Sequence, residues 1–67
     1  MKGEIKRLIQ DRGFGFITAQ DGREIFFHRS ALEGIDFEAL EEGNSVEFNL
    51  GRGPKGLRAE SVRMIEA

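Results

Sequence analysis

The sequence contains no cysteine, tryptophan or tyrosine, one histidine and one proline. Without thiols there is neither a disulfide nor a thiolate zinc site to stabilise a small core, and no oxidising compartment is implied. A single histidine argues against a metal cage, and no metal or other cofactor is expected. Apolar runs extend only a few residues, against the roughly 20 needed to span a bilayer as a helix. No charged-then-apolar leader opens the chain, so no membrane partner is expected and the expected setting is the cytoplasm. With 67 residues the chain is expected to be one domain, 1–67, and a monomer. A chain of that size buries only about 60% of the surface it exposes when unfolded, so its core must be small.

Basic residues are missing altogether from 30–51, where Glu33, Asp36, Glu38, Glu41, Glu42 and Glu47 give a local charge of −6. Residues 1–29 and 52–67 each carry +2, so the net charge of −2 conceals a segregation. Local field rather than net charge decides whether a polyanion can dock. The acidic stretch reads as a solvated face.

Against these absences stand six phenylalanines and nine glycines. The stretch Asp11-Arg-Gly-Phe-Gly-Phe-Ile-Thr18 sets two phenyl rings one residue apart. On a strand, where side chains alternate, Phe14 and Phe16 share one face, expected to be aromatic and flat. Gly15 and Ile17 then point the other way, and a missing side chain at Gly15 lets a neighbouring strand curl in close. Gln20-Asp-Gly-Arg23 is a hairpin signal, and the next strand, Glu24–His28, places Ile25 and Phe27 on one face and Phe26 and His28 on the other. Paired as a hairpin, the two strands show Phe14, Phe16, Phe26 and His28 together. For Phe14 and Phe16 alone, core packing is an equal alternative, but the matching parity of Phe26 and His28 favours an exposed platform, and three phenyl rings on an exposed face need a reason.

The remaining pattern predicts three more strands. Residues 3–9 put Ile5 inward, with a bend or bulge near Arg7 to account for adjacent Leu8 and Ile9. Ser45–Leu50 alternates, with Val46, Phe48 and Leu50 inward. Leu57–Ile65 carries Ala59, Val62 and Ile65 at intervals of three, which predicts a second bulge. Residues 30–44 form an irregular connection with one or two short helical turns, Asp36 capping a turn that ends near Gly43, and Leu32, Ile35 and Leu40 closing the barrel end. Gly51-Arg-Gly-Pro-Lys-Gly56 is expected to be a basic glycine-rich loop. Five short strands linked in this way fit a small closed antiparallel barrel, which also removes aggregation-prone edges.

Arg12-Gly-Phe-Gly-Phe-Ile-Thr18 and Ile25-Phe-Phe-His28 resemble the two ribonucleoprotein motifs of bacterial cold-shock domain proteins, and the resemblance runs the length of the chain. Gly3, Asp21-Gly22, Ser30-Ala31, Phe37 to Gly43 and Lys55-Gly56 agree with it. The resemblance implies a five-stranded Greek-key barrel of the OB-fold, all-β, that binds single-stranded RNA or DNA on its aromatic surface. It places Phe14, Phe16, Phe26 and His28 at central stacking positions, Phe37 where a loop aromatic packs on a further base, and Lys6 at a basic contact. Arg7 stands in place of a surface Trp, Leu8-Ile9 in place of Phe-Asn, Arg12 in place of Lys, Arg29 in place of Phe, and Leu57-Arg58 where Pro and a small residue are usual. Arginine planes can stack on bases and meet phosphates, so Arg7 and Arg29 partly substitute, and the expectation is weaker, more salt-sensitive binding than the family norm. Arg52, Lys55 and Arg58 form a basic rim that is either solvated or in contact with phosphate.

The function expected is that of a nucleic-acid-binding module with RNA-chaperone action, not an enzyme. His28 has no Cys, and no clearly paired Ser or carboxylate, to serve in catalysis. The Gly51-x-Gly53 loop lacks the Lys-Ser/Thr at a helix start that a phosphate-binding P-loop requires. The alternative is a protein-interaction barrel with reduced or lost nucleic-acid binding, in which the phenyl patch and the arginines dock a partner.

Overall fold

A computed structural model describes residues 1–54 and 56–65; Lys55, expected in the basic rim, lies outside them. The strands are β1 (Lys2–Ile9), β2 (Phe14–Ala19), β3 (Glu24–His28), β4 (Ser45–Gly53) and β5 (Gly56–Met64), with short 3-10 turns at Arg29–Ala31 and Phe37–Ala39. They close into a barrel in the order β1-β2-β3-β5-β4. The first three form a meander, and the long connection after β3 returns the chain beside β1, which is the Greek-key path. Every pairing is antiparallel except the closing contact of β3 with β5, which is parallel and rests on Phe26 opposite Arg58.

The turn signals act locally as their chemistry dictates. Between β2 and β3 the amide of Gly22 donates to Ala19 O at 2.9 Å, and Ala19 N donates to Arg23 O at 2.8 Å. Gly22 has φ +90, the left-handed conformation that closes a three-residue hairpin loop. Asp21 Oδ1 accepts the Arg23 amide at 3.1 Å, and this bond holds the Asp21 carboxyl below its usual range.

Ten side chains form the core, among them Ile5, Ile17, Ile25, Phe27, Val46, Phe48 and Val62, none more than 3% exposed. Leu40 is buried with them, while Leu32, Ile35 and Leu50 pack partly buried against the cluster. A Cβ on Gly15 would lie 2.5 Å from Arg7 O and 2.9 Å from the Phe27 ring. The absent side chain is thus what lets β1 curl over β2.

Both expected bulges are present. In β1 the register steps from Ile5 opposite Ile17 to Arg7 opposite Phe16. Lys6 and Arg7 are consequently both exposed, and the parity flips, turning Leu8 toward the core and setting Ile9 opposite Phe14. In β5, Glu60 faces Asn49 and Arg63 faces Glu47, so Ser61 and Val62 share the place opposite Phe48. Ser61 has φ +53, the local strain of that extra residue.

Two expectations require correction. Gly51–Gly53 is strand rather than loop: Gly51, Arg52 and Gly53 pair with Arg58, Leu57 and Gly56, so the β4–β5 hairpin extends as a paired arm. Asp36 occupies the N-cap position of the second 3-10 turn, but its side chain makes no capping hydrogen bond, and the turn ends at Leu40 rather than near Gly43. A separate turn follows, in which Asn44 Oδ1 accepts the Glu41 amide at 2.8 Å and Gly43 N donates to Ile5 O at 2.8 Å.

Candidate nucleic-acid interface

Strands β2 and β3 bring the aromatic set together as the alternation requires. Phe14 is opposite His28 and Phe16 opposite Phe26, all on the outer face, while Ile17, Ile25 and Phe27 fill the inside. The Phe14 and Phe26 ring centroids are 5.4 Å apart at 40°, and Phe16 lies 6.0 Å from each, at 89° to Phe14 and 69° to Phe26. The two contacts of Phe16 are edge-to-face and that of Phe14 with Phe26 is tilted; aromatic pairs of this kind are worth about 0.5–1.5 kcal/mol each beyond burial. They correct the expectation of a flat face: the rings are half-buried against one another and form a ridged surface of tilted planes.

His28 is exposed at the end of β3 and caps the first 3-10 turn. Its Nδ1 accepts the Ser30 amide at 3.2 Å and lies 2.9 Å from Ser30 Oγ. With Nδ1 turned to Ser30, the ring leaves Nε2 facing away from the turn. Ser30 is thus a positioning residue that the sequence pattern did not single out.

The basic residues divide into two groups. Lys6 Nζ is 2.7 Å from Glu24 Oε2, and Arg58 Nη2 is 3.1 Å from Glu60 Oε2, so these two are held in exposed ion pairs. Arg7, Arg12, Arg29 and Arg52 enter no ion pair among the described residues. Arg7 flanks Phe16, in a depression that also gathers Lys6, Glu24 and Glu42. Arg12 is exposed in the β1–β2 turn. The Arg29 stem lies along Gly13, where a Cβ would approach its Cδ to 2.9 Å. Arg29 shares a surface depression with Gln10, Asp36, Phe37 and Glu38. Phe37 is therefore beside Arg29, and its half-buried ring lies 6.2 Å from that of the core residue Phe27.

Three apolar contributors, Ile9, Pro54 and Leu57, were missed by sequence reasoning. Ile9 sits opposite Phe14 because of the parity flip at the bulge, a signal present in the adjacent Leu8-Ile9. Pro54 and Leu57, on the extended hairpin arm, join Phe14, Phe16 and Phe26 around an open concavity of about 580 Å3. Leu57 is 39% exposed there. No local signal marked the arm, since its glycines read as loop. Among the described residues no group of three or more His, Asp or Glu could hold a metal ion, and no helix is long and apolar enough to cross a membrane.

Comparison with known proteins agrees with this geometry. Residues 1–65 match the family model described as the 'Cold-shock' DNA-binding domain. The chain is 48% identical over 64 residues to the cold shock-like protein CspA of Stigmatella aurantiaca, covering 94% of each. It is 44% identical over 66 residues to the cold shock-like protein CspC of Escherichia coli, covering 97% of this chain and 96% of the relative. Among solved structures, Drosophila Unr CSD456 superposes with a TM-score of 0.73 at 23% identity, over 97% of this chain and 26% of that longer one. Fold, aromatic hairpin and sequence likeness lead to one conclusion: the chain belongs to the cold-shock domain family.

Proposed function

We propose that residues 1–67 act as one cold-shock-like domain that binds single-stranded RNA or DNA by stacking unpaired bases on Phe14, Phe16, Phe26 and His28. The observation that carries this reading is the set of three phenyl rings within 6.0 Å of one another on the outer face of a barrel whose core is already complete. Every base has a π face, so such a surface accepts successive bases with little regard to sequence, at about 1–3 kcal/mol each. The action is that of an RNA chaperone, holding weakly structured strands open without a catalytic step, as a monomer, without a metal ion, and in the cytoplasm. The family's description as DNA-binding supports the ligand class.

Binding is expected to be weaker and more salt-sensitive than in relatives with more aromatic surfaces. Arg7 and Arg29 replace stacking area with charge, while Lys6 and Arg58 must leave Glu24 and Glu60 before meeting phosphate. If Arg7, Arg12 and Arg29 each contact one phosphate, the log–log salt slope is about −2, at about −0.7 per contact for a single strand. Titration of labelled oligo-U and oligo-dT at about 50 mM and about 200 mM salt measures it. A slope indistinguishable from zero contradicts the role given to the arginines, and absence of binding by either oligomer favours the protein-interaction reading.

A further inference from the structure

Beside the phenyl ridge lies a second depression, about 370 Å3, between the end of β3, the first 3-10 turn and β5. Phe26, His28, Ser30, Arg58, Glu60 and Ser61 line it. Phe26 and Arg58 also border the apolar concavity on the other side, and their Cα atoms are directly opposed across the β3–β5 contact. Arg58 therefore stands beside the Phe26 ring in both depressions.

Arg58 is held in one orientation. Glu60 Oε2 accepts from Nε at 3.2 Å and from Nη2 at 3.1 Å, so the Nε–Nη2 side of the guanidinium is occupied. Glu60 is itself seated against Gly51, whose absent Cβ leaves the space that its carboxylate fills. The opposite side of the guanidinium, Nη1 with the second Nη2 proton, remains a planar two-donor fork. A fork of that kind matches two adjacent acceptors on one base edge. On the Hoogsteen edge guanine offers such a pair in O6 and N7, whereas there adenine sets an amino donor beside N7, uracil has the single acceptor O4 and cytosine presents its amino donor.

We infer that this depression is a guanine-reading subsite, in which the free edge of Arg58 donates to O6 and N7 of a base stacked on Phe26 and Glu60 acts as the positioning residue. The inference rests on the single-strand binding proposed above and adds a base preference to it. Single-stranded ligands permit it because their Hoogsteen edges are open to side chains.

The test is fluorescence polarisation with labelled hexauridylate, the same oligomer carrying one guanosine at each position in turn, and the 7-deazaguanosine equivalent, which lacks the N7 acceptor. The best-placed guanosine is expected to tighten binding about tenfold over hexauridylate, and 7-deazaguanosine at that position to lose most of the gain. Arg58→Lys keeps the charge but not the fork, and should bring the guanosine-to-uridine ratio to within about twofold of unity. Glu60→Gln should lower the ratio without tightening hexauridylate. Circular dichroism melts establish that both variants fold. A ratio unchanged in Arg58→Lys, or guanosine and 7-deazaguanosine binding alike, overturns the subsite. Tighter binding of every oligomer by Glu60→Gln would instead make Glu60 a competitor of phosphate and overturn its positioning role. If hexauridylate binds and guanosine gives no preference, the subsite alone falls; if no oligomer binds, single-strand binding falls with it.

Discussion

Arg7 and Phe16 face each other across the β1–β2 pair, placed there by the bulge that turns both Lys6 and Arg7 outward. An aromatic ring at position 7 would thus extend the phenyl ridge by one more stacking surface, whereas the guanidinium contributes mainly charge. Arg7→Trp should tighten oligo-U binding by about 1–3 kcal/mol and reduce the salt slope by about 0.7. Titrations at two salt concentrations check both quantities. Tighter binding with an unchanged slope would show that Arg7 does not meet phosphate.

Adjacent phenylalanines on β3 should respond in opposite ways. Phe27 is fully buried and touches the half-buried Phe37, so Phe27→Ala should lose about 3–5 kcal/mol, much of the stability available to so short a chain. Phe26 lies on the outer face, and Phe26→Ala should lose far less stability while weakening oligomer binding. Thermal melts followed by circular dichroism, with titrations on the folded variant, separate the two effects.

Gly15→Ala should destabilise the barrel by about 1–3 kcal/mol, because the new methyl overlaps Arg7 O and the Phe27 ring. For a domain of this size that corresponds to a melting point lower by at least about 4 °C. An unchanged melting point would mean that β1 does not press on β2 as described.

Asp21 makes stability depend on pH. Its folded-state pKa is depressed, chiefly by the Arg23 amide, so its contribution is present above the ordinary carboxylate pKa and is lost as pH falls through the lower folded value. Asp21→Asn, which keeps the shape of the turn, should melt below the parent at pH 7, and the gap should narrow near pH 3. Because Asp21 is exposed, the difference should be small and reduced by salt.

Much of this arrangement was legible in the sequence because strand alternation is a local rule. Phe14, Phe16, Phe26 and His28 could be placed on one face, and Ile17, Ile25 and Phe27 on the other, from parity alone. The paired Leu8-Ile9 and the three-residue spacing of Ala59 and Val62 likewise announced their bulges. What parity could not supply were relations between distant strands. The parallel contact of Phe26 with Arg58, the reach of the β4–β5 arm that brings Leu57 over the ridge, and the seating of Glu60 against Gly51 depend on barrel closure. Ring tilt was equally hidden, since alternation assigns a side chain to a face but not its angle to its neighbours.

The central claim is that the phenyl ridge binds bases rather than merely covering the core. Its most direct test compares oligo-U affinity of the parent with that of Phe14→Ala/Phe26→Ala, after circular dichroism has shown that the variant is folded. Stacking predicts a loss of about 2–6 kcal/mol, or about 30-fold and more in dissociation constant. Equal affinity in a folded variant would contradict it.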